Sequence, residues 1–110
     1  MSSEAPRRIV RRALADQDID AIVDWYLVEA GPGVALGFID ALERAFGQLA
    51  RQPGMGSPRY AQDLGLPGLR SWPLRSYPHL VFYLDAPDAI EIWRVLHGHR
   101  DVPVHLQEDQ

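Results

Sequence analysis

Cysteine is absent from the 110-residue sequence, and its absence excludes several kinds of chemistry. A chain without thiols forms no disulfide bonds and holds neither a thiolate-ligated zinc ion nor an iron–sulfur cluster. It also has no cysteine nucleophile for covalent catalysis. Any chemistry must therefore come from other side chains.

Long apolar runs are missing as well. No segment is long and apolar enough to cross a bilayer, and the first 12 residues lack the apolar stretch of a signal peptide. We therefore expect a cytoplasmic protein that does not enter a membrane. The composition, 46% hydrophobic and 24% charged, is typical of a folded globular chain. At this length we expect one domain over residues 1–110, with flexible tails at residues 1–7 and 105–110.

Lysine is the third absence: all 11 basic residues are arginine, against 15 acidic residues, for a formal net charge of −4. A protein that binds nucleic acid mainly through phosphates usually has a positive balance. The charge therefore disfavours non-specific binding to nucleic acids, although a local basic groove stays open as an alternative.

The first half of the sequence has a helical pattern. Apolar residues recur at helical spacing at positions 19, 22, 23, 26, 27 and 30, and Asp16 lies where a helix N-cap is expected. Gly-Pro-Gly at 31–33 ends this helix, and a second helix follows over residues 32–52. The short joint predicts an antiparallel helical hairpin. Gly37 and Gly47 lower the stability of the second helix, so we expect a close neighbour at each.

The second half has the pattern of strands. Residues 53–68, with four glycines and three prolines, are predicted to form a loop. Residues 69–74 form the first of three predicted strands, and Pro73 is typical of an edge or a bulge. Residues 79–84 and 89–97 are apolar on both faces, so we expect them inside the sheet.

The mixed apolar and basic residues at 8–14 are consistent with a further short strand ahead of the helices. The predicted order is strand–helix–helix–strand–strand–strand. This order indicates an α+β fold in which the helical hairpin packs on a small, mostly antiparallel sheet.

Histidines are the first candidates for metal binding or proton transfer. His97 and His99 form an H-x-H pair whose rings point to one face if the strand continues. A third ligand would have to come from His79, His105 or a carboxylate, and no such spacing is evident. We therefore predict no metal site and no cofactor.

The serines form no nucleophile elbow, and no glycine-rich segment has the pattern of a phosphate-binding loop.

Arginine and aromatic residues recur together on the predicted strands, an arrangement that can stack bases and hold phosphates on a sheet surface. The residues are Arg70, Arg75, Arg94, Arg100, Trp72, Tyr77, Tyr83 and Trp93. We favour the simpler interpretation, in which the aromatic side chains belong to the core and the arginines form salt bridges. Their acidic partners would be Asp85, Glu91 or Asp101.

Two segments in the second half, GLRSWPLRSYPHLVFY at 68–83 and RVLHGHRDVP at 94–103, resemble one family of proteins. This family is the RelE/ParE toxins of bacterial type II toxin–antitoxin modules, and the segments resemble the ParE branch in particular. The segment IDAIVDWYLVEAGPGVALGFIDALERAF, at 19–46, lies where that family has its two helices. The resemblance covers about residues 8–104 and agrees with the predicted element order.

The resemblance to the ParE branch implies a toxin that inhibits DNA gyrase by binding and has no catalytic residues of its own. Inhibition of gyrase would arrest growth, and the resemblance implies a role in plasmid maintenance. It also implies a cognate ParD-like antitoxin that covers the toxin's hydrophobic surface in a toxin–antitoxin hetero-oligomer. We expect the target-binding residues at the end of the last strand and just beyond it. They are Arg94, His97, His99, Arg100 and Asp101. Alternatively, these residues fix the last strand and contact the antitoxin.

Two other interpretations stay open. The RelE branch implies a ribosome-dependent mRNA endoribonuclease, with Arg100, His97 and His79 as catalytic residues. Against this reading, His79 lies where that branch has arginine, and Leu106 lies where it has a tyrosine that can transfer a proton. The third interpretation is a degenerate toxin that only binds its antitoxin and helps to repress the operon.

Overall fold

The computed structural model describes residues 6–98, except for the side chains of Asp63 and Leu64. The elements are β1 Arg8–Arg11, α1 Ala13–Glu29, α2 Pro32–Arg51, a 3-10 helix Pro53–Met55, α3 Arg59–Leu64, β2 Leu69–Pro73, β3 His79–Asp85 and β4 Ala89–His97. The predicted α+β order is confirmed, with α3 and the 3-10 helix added to it. Of the flexible tails predicted at residues 1–7 and 105–110, residues 1–5 and 105–110 lie outside the described residues. Arg7 is described, and its N–H donates to the Ala50 carbonyl at 2.9 Å.

The four strands form a mixed sheet in the order β1-β4-β3-β2. β1 runs parallel to β4, and the other two pairings are antiparallel, as the prediction of a mostly antiparallel sheet requires. β3 and β4 occupy the two central positions, which confirms what their apolar faces predicted. β2 lies at an edge and ends at Pro73, which confirms the expectation for that proline.

α1 and α2 pack on one face of the sheet and form the larger core. Phe38 and Leu49 of α2 are fully buried in the same cluster as Val81, Tyr83 and Ile92 of the sheet. Removing each such side chain from water contributes about 1.5–3 kcal/mol to folding. The helical hairpin therefore covers one face of the sheet and stabilises it through these apolar contacts.

The start of α1 differs from the prediction. The helix begins at Ala13 with Arg12 as its N-cap residue, so Asp16 lies within the first turn and is not the cap. The Arg12 N–H donates to the Ile92 carbonyl at 3.0 Å, the last rung that joins β1 to β4. Because Arg12 itself makes this last hydrogen bond to β4, the helix begins at the next residue, Ala13. Asp16 instead forms an exposed ion pair with Arg11 at 3.0 Å.

The predicted loop at 53–68 contains α3, which the glycine and proline pattern concealed. Tyr60 of α3 packs on Phe82, with ring centroids 5.4 Å apart, in a second apolar cluster with Leu69 and Leu96. Tyr60 and Ala61 of this short helix thus cover part of the sheet face opposite the hairpin. Gly65, at φ 63°, ends the helix in the left-handed conformation that favours glycine.

The close neighbour predicted at Gly37 and at Gly47 of α2 is found at one of these two positions and not at the other. A Cβ atom at Gly37 would collide with the Tyr77 hydroxyl, which donates to the Val34 carbonyl at 3.0 Å, so the close neighbour predicted there is confirmed. A Cβ atom at Gly47 would meet no atom within 4 Å, so the same prediction for Gly47 is wrong. Helix propensity alone does not distinguish the two positions.

Candidate functional site

Two predicted site residues meet where β3 begins and β4 ends. His79 and His97 are paired directly across these strands, and their ring centroids lie 5.6 Å apart. His79 is only 6% exposed, and its ring packs edge-on against the rings of Tyr26 and Phe38. His97 is only partly buried. His79 therefore belongs to the core, whereas His97 is partly exposed.

An apolar groove opens beside this histidine pair, between α1 and the ends of β3 and β4. Its volume is about 590 Å³, and its lining consists of Ala21, Ile22, Trp25, Tyr26, Pro78, His79 and His97. Trp25 is 54% exposed here and stacks edge-on against Tyr26. Tryptophan offers a large apolar surface together with one N–H donor, which suits a protein-contact surface. The groove and the exposed Trp25 ring together form the candidate site.

The sequence prediction missed Trp25. The signal was present, since position 25 falls outside the apolar stripe predicted for α1 and a tryptophan there has no core position to fill. Gly98, the last described residue, lies beside the same groove, because its N–H donates to the Pro78 carbonyl at 2.8 Å. His99, Arg100 and Asp101 themselves lie outside the described residues.

Arg94, also predicted to contact the target, is held inside the fold. Its Nε and Nη2 atoms donate to the two carboxylate oxygens of Asp18 at 2.8 and 2.9 Å, and the Val95 N–H donates to the same carboxylate at 3.0 Å. Only 11% of the Arg94 side chain and 14% of the Asp18 side chain are exposed. We call this contact between Asp18 and Arg94 the joint between α1 and β4. It lies at a β-bulge between β3 and β4, where Phe82 is opposite Arg94 and Tyr83 is opposite Ile92.

The acids predicted to neutralise the strand arginines have other partners. Asp85 forms an ion pair with Arg7, and a carboxylate oxygen of Glu91 lies 3.3 Å from Nε of Arg12. Both arginines belong to the N-terminal segment, which the parallel pairing of β1 with β4 brings beside these acids. The third predicted acid, Asp101, lies outside the described residues.

The arginine and aromatic residues do not line one surface in the part of the chain that the structure describes. Trp72, Tyr77 and Tyr83 pack with the hairpin core, whereas Trp93 packs with Phe82 in the cluster on the other face. This division supports the interpretation of the aromatic residues as core. It provides no continuous platform for stacking bases.

The opposite end of the sheet is closed by a polar network around Tyr83. Its hydroxyl donates to the Pro53 carbonyl at 2.7 Å and accepts from the Gly56 N–H at 2.9 Å. Burial raises the pKa of the Tyr83 hydroxyl above its ordinary value of 10.0, against the smaller lowering effects of the Gly56 hydrogen bond and the Arg70 charge. Arg70 donates to the carbonyls of Gly54 and Gly56 at 3.3 and 2.6 Å. These groups hold the loop to the sheet.

The hairpin exposes apolar side chains on a second surface. Leu27 and Val28 of α1 are 45% and 80% exposed, and Val34 and Leu36 of α2 are 38% and 61% exposed. We call these four residues the hairpin-tip patch. A groove of about 470 Å³ also lies between the two helices, lined by Arg11, Ile19, Asp20, Val23, Asp24, Ile39, Leu42, Glu43 and Phe46.

Residues 6–98 contain neither a metal-binding cluster nor a membrane-spanning helix. Over the described residues, no three histidine or carboxylate side chains lie close enough together to hold a metal ion. No helix in the same part of the chain has the length and apolar character needed to cross a membrane.

Comparisons with known proteins fit this architecture. The sequence model of the family described as "ParE toxin of type II toxin-antitoxin system, parDE" matches residues 9–102. Among solved structures, the chain is similar to one described as "Chromosomal ParDE TA system from P. aeruginosa", with a TM-score of 0.69 and 25% sequence identity over 83% of this chain and 95% of that chain. A comparison with curated proteins gives no match. The chain belongs to the ParE toxin family of type II toxin–antitoxin systems.

Proposed function

We propose that this toxin inhibits DNA gyrase by binding to it, and that a cognate ParD-like antitoxin neutralises it. The family match over residues 9–102 is the observation that carries the proposal. The similar structure described as a ParDE system supports the antitoxin as partner. Inhibition by binding requires a surface that is exposed and partly apolar, and the groove beside the end of β4 has both properties.

The location of His79 favours binding over catalysis. A general acid or base must come within hydrogen-bond reach of its substrate. His79, one of the three residues required by the endoribonuclease interpretation, is 6% exposed and enclosed by the rings of Tyr26, Phe38 and His97. Its imidazole is therefore a poor candidate for proton transfer to an RNA that docks on the surface.

The proposed gyrase-binding surface consists of Trp25, His97 and the residues that continue from β4, namely His99, Arg100 and Asp101. Tryptophan and arginine are the side chains that most often dominate the energy of protein interfaces. Arg94 contributes indirectly, because its bonds to Asp18 hold the end of β4 against α1. The surface thus combines an aromatic anchor with a charged segment.

The proposed antitoxin-binding surface is the hairpin-tip patch with the neighbouring interhelical groove. Monomeric proteins rarely expose large contiguous apolar patches, and those that do use them to bind partners. Val28, at 80% exposure, gains most from being covered. An amphipathic segment of the antitoxin would fill this surface with its apolar face.

The test uses the purified, antitoxin-free chain with DNA gyrase, ATP and relaxed plasmid, and measures supercoiling and cleaved DNA on a gel. We expect supercoiling to be lost and cleaved plasmid to accumulate, and added antitoxin to restore activity. Trp25→Ala should weaken inhibition by about tenfold or more, as for an interface anchor. Leu36→Ala, which truncates a similarly exposed apolar side chain on the hairpin-tip patch, is the matched control and should leave gyrase inhibition unchanged.

Unaffected gyrase in the presence of folded chain contradicts the proposal. Cleavage of mRNA on purified ribosomes, lost in Arg100→Ala and His97→Ala while antitoxin binding is kept, would then establish the endoribonuclease instead. A chain that binds its antitoxin but affects neither target would be the degenerate toxin.

A further inference from the structure

The two edges of the sheet differ in their free hydrogen-bonding groups. At the β2 edge, the N–H and C=O of Ser71 are paired with the C=O and N–H of Ser57, both at 2.9 Å. The Leu69 N–H donates to the Leu66 carbonyl at 3.1 Å, and Pro73 has no N–H to offer. The β2 edge is therefore closed to a further strand.

The β1 edge has the opposite character. The Arg12 N–H donates to β4, so the alternation of the strand directs the N–H and C=O of Val10 toward β4 as well. The N–H and C=O of Ile9 and of Arg11 point away from the sheet. No backbone hydrogen bond among the described residues uses these four groups, and only the preceding Arg7 N–H is occupied, by the Ala50 carbonyl at 2.9 Å.

The charge of this edge limits what can pair with it. The segment from residue 7 to residue 12 contains four arginines and no acid. Arg8 is exposed and has no ion pair with a described residue, while the side chains of Arg11 and Arg12, although paired, remain 53% and 50% exposed. A second copy of β1 would bring arginine against arginine, which is destabilising in a strand pair. An acidic strand would be complementary.

We propose that the β1 edge accepts an extended, acidic segment of the antitoxin as a fifth strand of the sheet. The proposal rests on the proposed function, in which an antitoxin is the partner, and adds where and how one part of it binds. The Ile9 and Arg11 backbone would donate two hydrogen bonds and accept two, which gives affinity, and carboxylates facing Arg8 and Arg11 would give specificity. The closed β2 edge leaves β1 as the edge that can accept a strand.

Amide hydrogen exchange, followed by NMR on the full chain alone and with the antitoxin encoded beside it, tests this proposal directly. In the free chain, the Ile9 and Arg11 amides should exchange fast, and the Val10 amide, bonded to β4, should exchange slowly. In the complex, the Ile9 and Arg11 amides should slow by about a hundredfold or more, as for amides that enter a stable ladder. The Ser71 amide at the closed edge should be unchanged.

Matched variants test the backbone and the charge separately. Arg11→Pro removes an outward N–H without removing a bond to β4, whereas Arg11→Ala removes only the side chain. Arg11→Pro should weaken antitoxin binding about tenfold beyond the effect of Arg11→Ala. Arg8→Glu should weaken binding in a salt-dependent manner, and Arg75→Glu, an exposed charge reversal beside the closed edge, should not. Thermal unfolding of each variant verifies that it is folded.

The outcomes separate the two proposals. An antitoxin that binds and neutralises the toxin while the Ile9 and Arg11 amides still exchange fast overturns the β1 strand and leaves the proposed function intact. A chain that binds no antitoxin contradicts the partner, and with it the strand. Protection of these amides in the chain alone, increasing with its concentration, would mean that a second copy occupies the edge and would also overturn the proposal.

Discussion

The two ends of the central strands are built differently. At the end near Tyr83, polar groups of the loop and the sheet satisfy one another, and Gly56 and Arg70 complete the network. At the end near His97, an open groove and the half-exposed Trp25 ring face solvent. The hydrogen-bonded end contributes mainly to the stability of the fold, whereas the open end leaves side chains exposed that can contact a partner. Mutations at the two ends should therefore separate stability from binding.

The joint between α1 and β4 lies between these two ends and should give the largest effect on stability. Asp18→Ala leaves the largely buried guanidinium of Arg94 and the Val95 N–H without their shared carboxylate. We expect a loss of about 3–5 kcal/mol in the free energy of unfolding, measured by urea titration. Asp16→Ala, which breaks the exposed pair with Arg11, is the control and should cost less than about 1 kcal/mol. Equal effects of the two changes would contradict the structural role of the joint.

At the closed end, Gly56→Ala should be the next most harmful change. A Cβ atom there would lie 2.5 Å from the Tyr83 hydroxyl oxygen and 2.9 Å from the Ser71 carbonyl oxygen, and the latter is backbone that cannot move freely. We expect a loss of about 2–3 kcal/mol, measured by thermal unfolding. Gly54→Ala, where the added Cβ meets nothing within 4 Å, should have little effect. A tolerated Gly56→Ala would show that the loop is not tightly held.

The closed end should also respond to alkaline pH. Since burial raises the pKa of Tyr83 in the folded state, its contribution to stability is complete below pH 10 and is lost as pH rises above that value. Tyr83→Phe removes the bonds to Pro53 and Gly56 and should cost about 1–2 kcal/mol at pH 7. The variant should lose less stability than the wild type between pH 9 and about pH 11. Parallel curves would mean that another group titrates.

The open end should give the smallest change in stability. Trp25 is 54% exposed, so Trp25→Ala should alter the free energy of unfolding by no more than about 0.5 kcal/mol, measured by urea titration. Under the proposed function, the same variant should inhibit gyrase about tenfold more weakly or worse. A large loss of stability would mean that the ring supports the fold, and the contrast between the two ends would fail.

Local patterns predicted the hairpin, the central strands and the edge position of Pro73, because periodicity and turn residues act over a few positions. They did not predict α3, because glycines and prolines surround its few apolar residues and hide any helical pattern. The helix is stabilised by the packing of Tyr60 and Ala61 on the cluster around Phe82, which is distant in the sequence. The partnership of Asp18 with Arg94 joins residues 76 positions apart, so no local pattern reveals it. His97 was found from its H-x-H spacing, whereas its contact with His79 depends on the strand register.

The parallel pairing of β1 with β4 has a consequence for how the toxin is made. The first strand meets its partner only after about 80 further residues have been synthesised, and closing so long a loop costs conformational entropy. The helical hairpin, by contrast, can form from neighbouring residues. Completion of the sheet is therefore a late event of folding. A nascent chain that has not yet released β4 from the ribosome carries β1 with both of its edges bare.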